Sequence, residues 1–138
     1  MLGDHCIKTW SVSQGYIALS SGEAEYYGAV RGASQALGLK AMMADLGIEV
    51  GVRIRVDASA AVGIATRRGL GKVRHIELNE LWLQDQVARK RICIEKVDGK
   101  ENISDSLTKH CKAERIQQTI EKTKYVHATG RHALMPHV

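Results

Sequence analysis

Three acidic side chains, Glu25, Asp57 and Asp105, sit where carboxylates can do chemistry. Glu25 falls in the first turns of an expected helix, Asp57 closes an expected strand, and Asp105 opens the helix after the last strand. In an open α/β sheet such positions converge on one edge, where ligands bind. Carboxylate oxygens without clustered His or Cys select Mg²⁺ or Mn²⁺ over zinc. Two such ions about 3.5–4 Å apart suit in-line displacement at phosphorus. Each residue also has a structural reading. Asp57 can cap a helix starting at Ala58, Asp105 can pair with Asn102 in a capping box, and Glu25 can be a surface charge near a helix dipole. Glu23 stands apart, because its spacing from Ser20 already gives it the role of a capping-box acid.

The elements that must hold these groups follow from periodicity. Cys6–Ser11 alternates apolar and polar residues and reads as a half-buried strand. Ser20-Ser21-Gly22-Glu23 starts a helix whose apolar or small positions are Tyr26, Val30, Ala33 and Leu37. Gly28 and Gly32, one turn apart, invite close approach of another backbone; Gly38 interrupts the helix before Leu39–Leu46, and Gly47 ends it. Residues 52–57 (VRIRVD) alternate strictly, the clearest strand in the chain. Ala58–Thr66 reads as a short helix and His75–Arg91 as a long one, with Leu78, Leu81, Trp82 and Ala88 on its apolar side. Arg89, Lys90 and Arg91 then stand at the favourable end of that helix's dipole. Ile92–Val97 is an alternating strand, followed by the Asp98-Gly99 turn. Asn102 caps a helix through Lys109, Lys112–Tyr125 forms a polar helix, and Thr129–Val138 is an aperiodic tail. The order is that of an α/β protein.

At 138 residues and 44% apolar content, the chain has the size and composition of one globular core. No apolar run approaches a transmembrane span, and MLGDHCIKTW has no secretory pattern, so an intracellular setting without membrane contact is expected. Cys6, Cys93 and Cys111 form no CxxC pair and are odd in number, which argues against a disulfide framework or a zinc ribbon and for a reducing compartment. With no Phe, the core must rest on aliphatic residues. Residues 1–66 carry five Lys/Arg against six Asp/Glu, while residues 67–100 carry nine against five. Arg67, Arg68, Lys72 and Arg74 cluster around the Gly69–Lys72 loop, which lacks P-loop spacing. They are the candidate phosphate contacts; a solvated basic surface is the plain alternative. His110 and Cys111, with His127, His132 and His137 beyond, match no zinc spacing. Trp10 and Trp82 are expected in sheet or core packing.

Four phrases in order, ALSSGEAEYY, VRIRVDASAAVGIA, VRHIEL and ENISDSLTKH, resemble the RNase H domain of copia-type retrotransposon polyproteins. The resemblance spans roughly residues 6–110. It implies an RNase H-like mixed sheet flanked by helices, lacking the first strand and part of the second in an N-terminally truncated domain. Residues 111–138 would then be a C-terminal helix and tail. It implies Mg²⁺-dependent (or Mn²⁺-dependent) endonucleolytic hydrolysis of RNA in RNA–DNA hybrids, with the adjoining reverse transcriptase domain as partner. Glu25, Asp57 and Asp105 match three of the family's four metal-binding carboxylates. Ser20, Ser21 and Gly22 occupy a position that contacts 2′-hydroxyls, and His75 matches the family's helix-start His. The family's first Asp has no counterpart: Asp4 is expected in the turn before the Trp10 strand. Asn-Gln after the strand Asp is replaced by Ala58-Ser59. Impaired catalysis is therefore expected, and a non-catalytic remnant that binds nucleic acid or serves as a structural module is the alternative reading.

Overall fold

The structure is a computed structural model that describes residues 1–15, 17–69, 71, 76 and 81–125. Among them, five helices and a two-stranded sheet make a mixed α/β protein. The chain divides into two compact units, one of Ser13–Asn102 and one of Met1–Val12 with Ile103–Val138.

In the larger unit, α1 (Ser21–Asp45) begins at the sequence-encoded cap. The Ser20 hydroxyl accepts from the Glu23 N–H at 3.2 Å, and the Glu23 carboxylate accepts from the Leu19 N–H at 3.0 Å. One of the donors that a helix start leaves unpaired is thereby satisfied, along with the N–H of the residue before the cap. Gly38 does not interrupt the helix, which runs unbroken for 25 residues. Glycine costs about 1 kcal/mol in a helix, too little to break one flanked by Leu, Ala and Met. The end is a Schellman turn at Gly47 (φ +76°): Gly47 N–H donates to the Ala44 carbonyl at 2.9 Å and Ile48 N–H to the Met43 carbonyl at 2.8 Å.

Strand β1 (Val52–Val56) keeps its alternation, with Val52 and Val56 buried and Arg53 and Arg55 exposed. It pairs in parallel with β2 (Ile92–Lys96), Val52 opposite Ile92 and Val56 opposite Lys96. Parallel neighbours need a crossover connection. Here α2 (Ser59–Thr66) and α3 (Trp82–Ala88) lie within it. Between the strands' exposed faces, Glu95 takes both Arg53 (3.2 Å) and Arg55 (3.8 Å). Such solvent-exposed pairs contribute at most about 1 kcal/mol. The core is Tyr26 and Ala33 from α1, Val52 and Val56, Ala61 and Ile64 from α2, Leu83 from α3, and Ile92. Val30 and Leu37 pack against its rim, as the helix periodicity predicts.

Several expectations change. Cys6–Ser11 is not a strand; its backbone joins no ladder, and Ile7 and Trp10 stay exposed. A strand is stabilised by pairing with a neighbour, and the alternation supplies none. The sheet therefore contains no antiparallel member among the described strands, although a mixed sheet was expected. Of the expected helix His75–Arg91, residues 75 and 77–80 lie outside the described residues; the helix described within the rest is α3, where Leu83 is the fully buried side chain and Ala88 is exposed. No Lys or Arg lies in its last turn, because Arg89 is its C-cap and Lys90 has turned into the left-handed region.

In the smaller unit, Leu2 and His5 form a single antiparallel bridge. The helix expected to run from Asn102 through Lys109 is the single turn α4 (Asp105–Thr108), with Ser104 as its N-cap residue. Helix α5 (Ala113–Thr123) lies within the expected span and ends where Lys124 turns left-handed (φ +51°). Asp4 is exposed and pairs with Lys124 at 3.2 Å. The tail beyond Tyr125 lies outside the described residues. Among the described residues, no helix is long and apolar enough to cross a membrane.

Candidate metal and nucleic-acid site

Asp57 follows directly on β1, at the C-terminal end of the strand, and its side chain is half-buried. The capping reading fails here. Helix α2 begins one residue later than expected, so Ala58 takes the cap position and no side chain caps the helix. The Asp57 carboxylate instead accepts from the Asn102 side-chain amide at 3.2 Å, across 45 residues of sequence. Asn102, expected to cap the next helix, faces the strand end.

The loop that delivers Asn102 is tied at both ends. Val97 N–H donates to the Val56 carbonyl at 2.9 Å, next to Asp57. Asp98 then organises the turn: its carboxylate accepts from Lys100 N–H at 2.8 Å, and its carbonyl accepts from Glu101 N–H (2.8 Å) and Asn102 N–H (3.0 Å). A side-chain acceptor two residues back is the usual Asx-turn device. Gly99 passes over the carboxylate closely enough that a Cβ there would lie 4.0 Å from Asp57 Oδ2.

Glu25 lies on an exposed position in the second turn of α1, whereas Glu23 is buried by its cap role, as its spacing from Ser20 predicts. The start of α1 meets the start of α2 at Gly22, where a Cβ would lie 2.6 Å from the Ala60 Cβ. The close approach expected at Gly28 and Gly32 occurs here instead; those two positions face open space. Burial against Ala60 gives Gly22 a packing role, while Ser20 and Ser21 are exposed. The first turns of α1 and α2 thus come together at the end of the unit that carries Asp57, the residue two positions before α2.

Asp105 belongs to the smaller unit. Its capping-box reading also fails, since Asn102 is turned to Asp57 and Ser104 precedes the helix turn. Its carboxylate is largely shielded and pairs with Lys109 one turn on, at 2.9 Å. Among the described residues, neither unit by itself gathers three or more His, Cys, Asp or Glu into a group that could hold a metal ion. Glu25 and Asp57, the candidates of the larger unit, are oxygen donors suited to Mg²⁺ or Mn²⁺.

Of the basic candidates, Arg68 is exposed and Arg67 is half-buried, its guanidinium lying over Gly71 so closely that a Cβ there would meet Nη1 at 2.7 Å. Gly69 and Gly71 both adopt positive φ, which glycine tolerates without strain. Lys72, Arg74 and His75 lie outside the described residues. A buried side chain that sequence reasoning missed fixes this loop. Gln84 donates to the Ile64 carbonyl (2.8 Å) and the Gly69 carbonyl (3.1 Å), and accepts from Gly69 N–H (2.9 Å). The signal was present: Gln84 lies three positions after Leu81 and four before Ala88, a polar residue on the side expected to be apolar. A polar group placed there must find partners.

No family model and no solved structure matches the chain.

Proposed function

We propose that the chain is an RNase H-like domain of a copia-type retrotransposon polyprotein. Its parent activity is endonucleolytic hydrolysis of the RNA strand of an RNA–DNA hybrid. The observation that carries this reading is the setting of Asp57. It is a half-buried carboxylate at the C-terminal end of a parallel strand, relieved of any capping duty. That is where open α/β sheets bind their ligands. The four phrases in the sequence, in their order, supply the family.

In this reading Asp57 would be a ligand for Mg²⁺, or for Mn²⁺ in its place, with Glu25 and Asp105 as the further carboxylate ligands that the resemblance implies, and the ion would supply stabilisation of charge at the phosphate. The chain's own contribution is to fix Asp57 at the strand end and to present Arg67 and Arg68, which follow α2, on a loop that Gln84 ties down. Ser20 and Ser21 offer exposed hydroxyls at the start of α1 for ribose contacts, with Gly22 packed beneath them. RNA–DNA hybrid and the adjoining reverse transcriptase domain are the partners, inside the cell.

The family's first carboxylate has no counterpart among these 138 residues, and Asp4, engaged by Lys124, is no substitute. The test is cleavage of a labelled hybrid with Mg²⁺ or Mn²⁺. The chain as given should cleave weakly or not at all, whereas one extended with an Asp-bearing strand should cleave. Asp57→Asn in the extended chain should abolish that cleavage. Hybrid binding by the unextended chain, with no cleavage after extension, would favour the non-catalytic reading.

A further inference from the structure

We propose that the C-terminal part of α1 is a self-association surface, on which a second copy of this chain lays the same segment antiparallel across a twofold axis.

Among the described residues, the core takes nothing from α1 beyond Leu37, yet the helix continues to Asp45. A helix in water draws most of its stability from packing an apolar face. This stretch carries such a face and leaves it uncovered. Leu39, Met42, Met43 and Leu46 fall at i, i+3, i+4 and i+7, a single stripe about 100° wide. Met42 is 61% exposed and Leu46 71%, while Leu39 and Met43 are half-buried outside the core. Scattered apolar side chains are ordinary on a surface; a contiguous stripe at helical spacing marks a contact.

The order of residues along the stripe says what covers it. From Leu37 to Ile48 the chain reads Leu-Gly-Leu-Lys-Ala-Met and then Met-Ala-Asp-Leu-Gly-Ile, the same sequence of residue classes in either direction. A twofold contact needs that self-complementarity, since what one copy offers at one position the other must accept at its mirror position. With the axis between Met42 and Met43, Leu39 meets Leu46 of the second copy and the small residues on either side fall at matching levels. Lys40 and Asp45, the only charges in the stretch, are equidistant from the axis and opposite in sign. Lys40 of one copy therefore comes level with Asp45 of the other, whereas a parallel alignment would set Lys40 level with Lys40. The stretch is also neutral within a chain of net charge +5, so the copies meet where repulsion is least. So short a contact buries less than the roughly 1,600 Å² of a standard stable interface, and the dimer exchanges with monomer.

The experiment follows the full chain by sedimentation equilibrium over a wide range of concentration. Its average mass should rise from 15.2 kDa toward twice that value and stop there. Met42→Gln and Leu46→Gln change exposed side chains and keep helix propensity, so their circular dichroism should match wild type. Each removes two side chains from a twofold contact and should weaken dimerisation about tenfold or more. Ile17→Gln, at a position 90% exposed outside α1, should dimerise as wild type does. In a mixture of isotope-labelled and unlabelled protein, filtered NMR should show Leu39 methyls close to Leu46 methyls of the other copy. That measurement uses wild type, so it decides even if a variant does not fold. A chain that stays at 15.2 kDa throughout, its stripe reserved for some other protein, would overturn the proposal. So would dimerisation unchanged in both α1 variants, an equal loss in Ile17→Gln, or mass growing past the dimer. Leu39 methyls that meet Leu39 of the other copy would overturn the antiparallel twofold arrangement.

Discussion

Replacing Gly22 by Ala separates packing from helix propensity. The added Cβ would lie 2.6 Å from the Ala60 Cβ. Carbon atoms in ordinary contact are about 3.5–4.0 Å apart, so the overlap is roughly 1 Å or more. Neither atom can escape by rotating a side chain, because both are fixed to the backbone. Helix α1 must therefore shift against α2, and overpacking of this kind costs about 1–3 kcal/mol. Alanine returns up to about 1 kcal/mol through better helix propensity and a less flexible unfolded chain. With the full return the net loss is about 0–2 kcal/mol, a fall of up to roughly 8 °C in melting temperature for a chain of this length. Gly28→Ala gains the same propensity and meets nothing within 4 Å, so it should raise stability by about 0.5–1 kcal/mol. Thermal and urea melts followed by circular dichroism compare the two. A Gly22→Ala protein as stable as Gly28→Ala would refute the close approach of α1 and α2.

Two further outcomes follow from the loop after α2. Gln84→Leu removes three hydrogen bonds and strands the Gly69 and Ile64 groups they served, so stability should fall by about 2–3 kcal/mol. Amide exchange at Gly69 should accelerate with it; unchanged protection there would contradict the clamp. Hybrid affinity should fall steeply with salt, and Arg68→Ala should lower the slope of log K against log salt by about 0.9 if it meets one phosphate. A slope that does not change would leave Arg68 as part of a solvated surface.

What the sequence reveals divides along the range of the interactions. The Ser20–Glu23 cap, the alternation of 52–57 and the Gly47 stop are set by residues within one turn or one strand, and all three are as the sequence implies. Errors arose where a distant partner competes with a local rule. Asn102 has the right chemistry for an N-cap, but its amide goes to Asp57, 45 residues away. Asp57 likewise suits a cap, yet α2 starts one residue too late for it. Cys6–Ser11 has the pattern of a strand, and pattern alone provides no neighbouring edge. Gly28 and Gly32 were equally plausible contact points as Gly22, because only packing distinguishes glycines that share a helix. The carboxylates were legible as candidates from residue type and placement. The Asn102 contact on Asp57 was not, since no spacing rule links a loop amide to a strand end.

The central proposal is that Asp57, at the end of β1, can serve as a ligand for a divalent cation. Crystals soaked in Mn²⁺, measured for anomalous scattering at the manganese edge, test it most directly. The account predicts an anomalous peak about 2.1 Å from an Asp57 carboxylate oxygen. No peak at Asp57 under saturating Mn²⁺ would contradict the account.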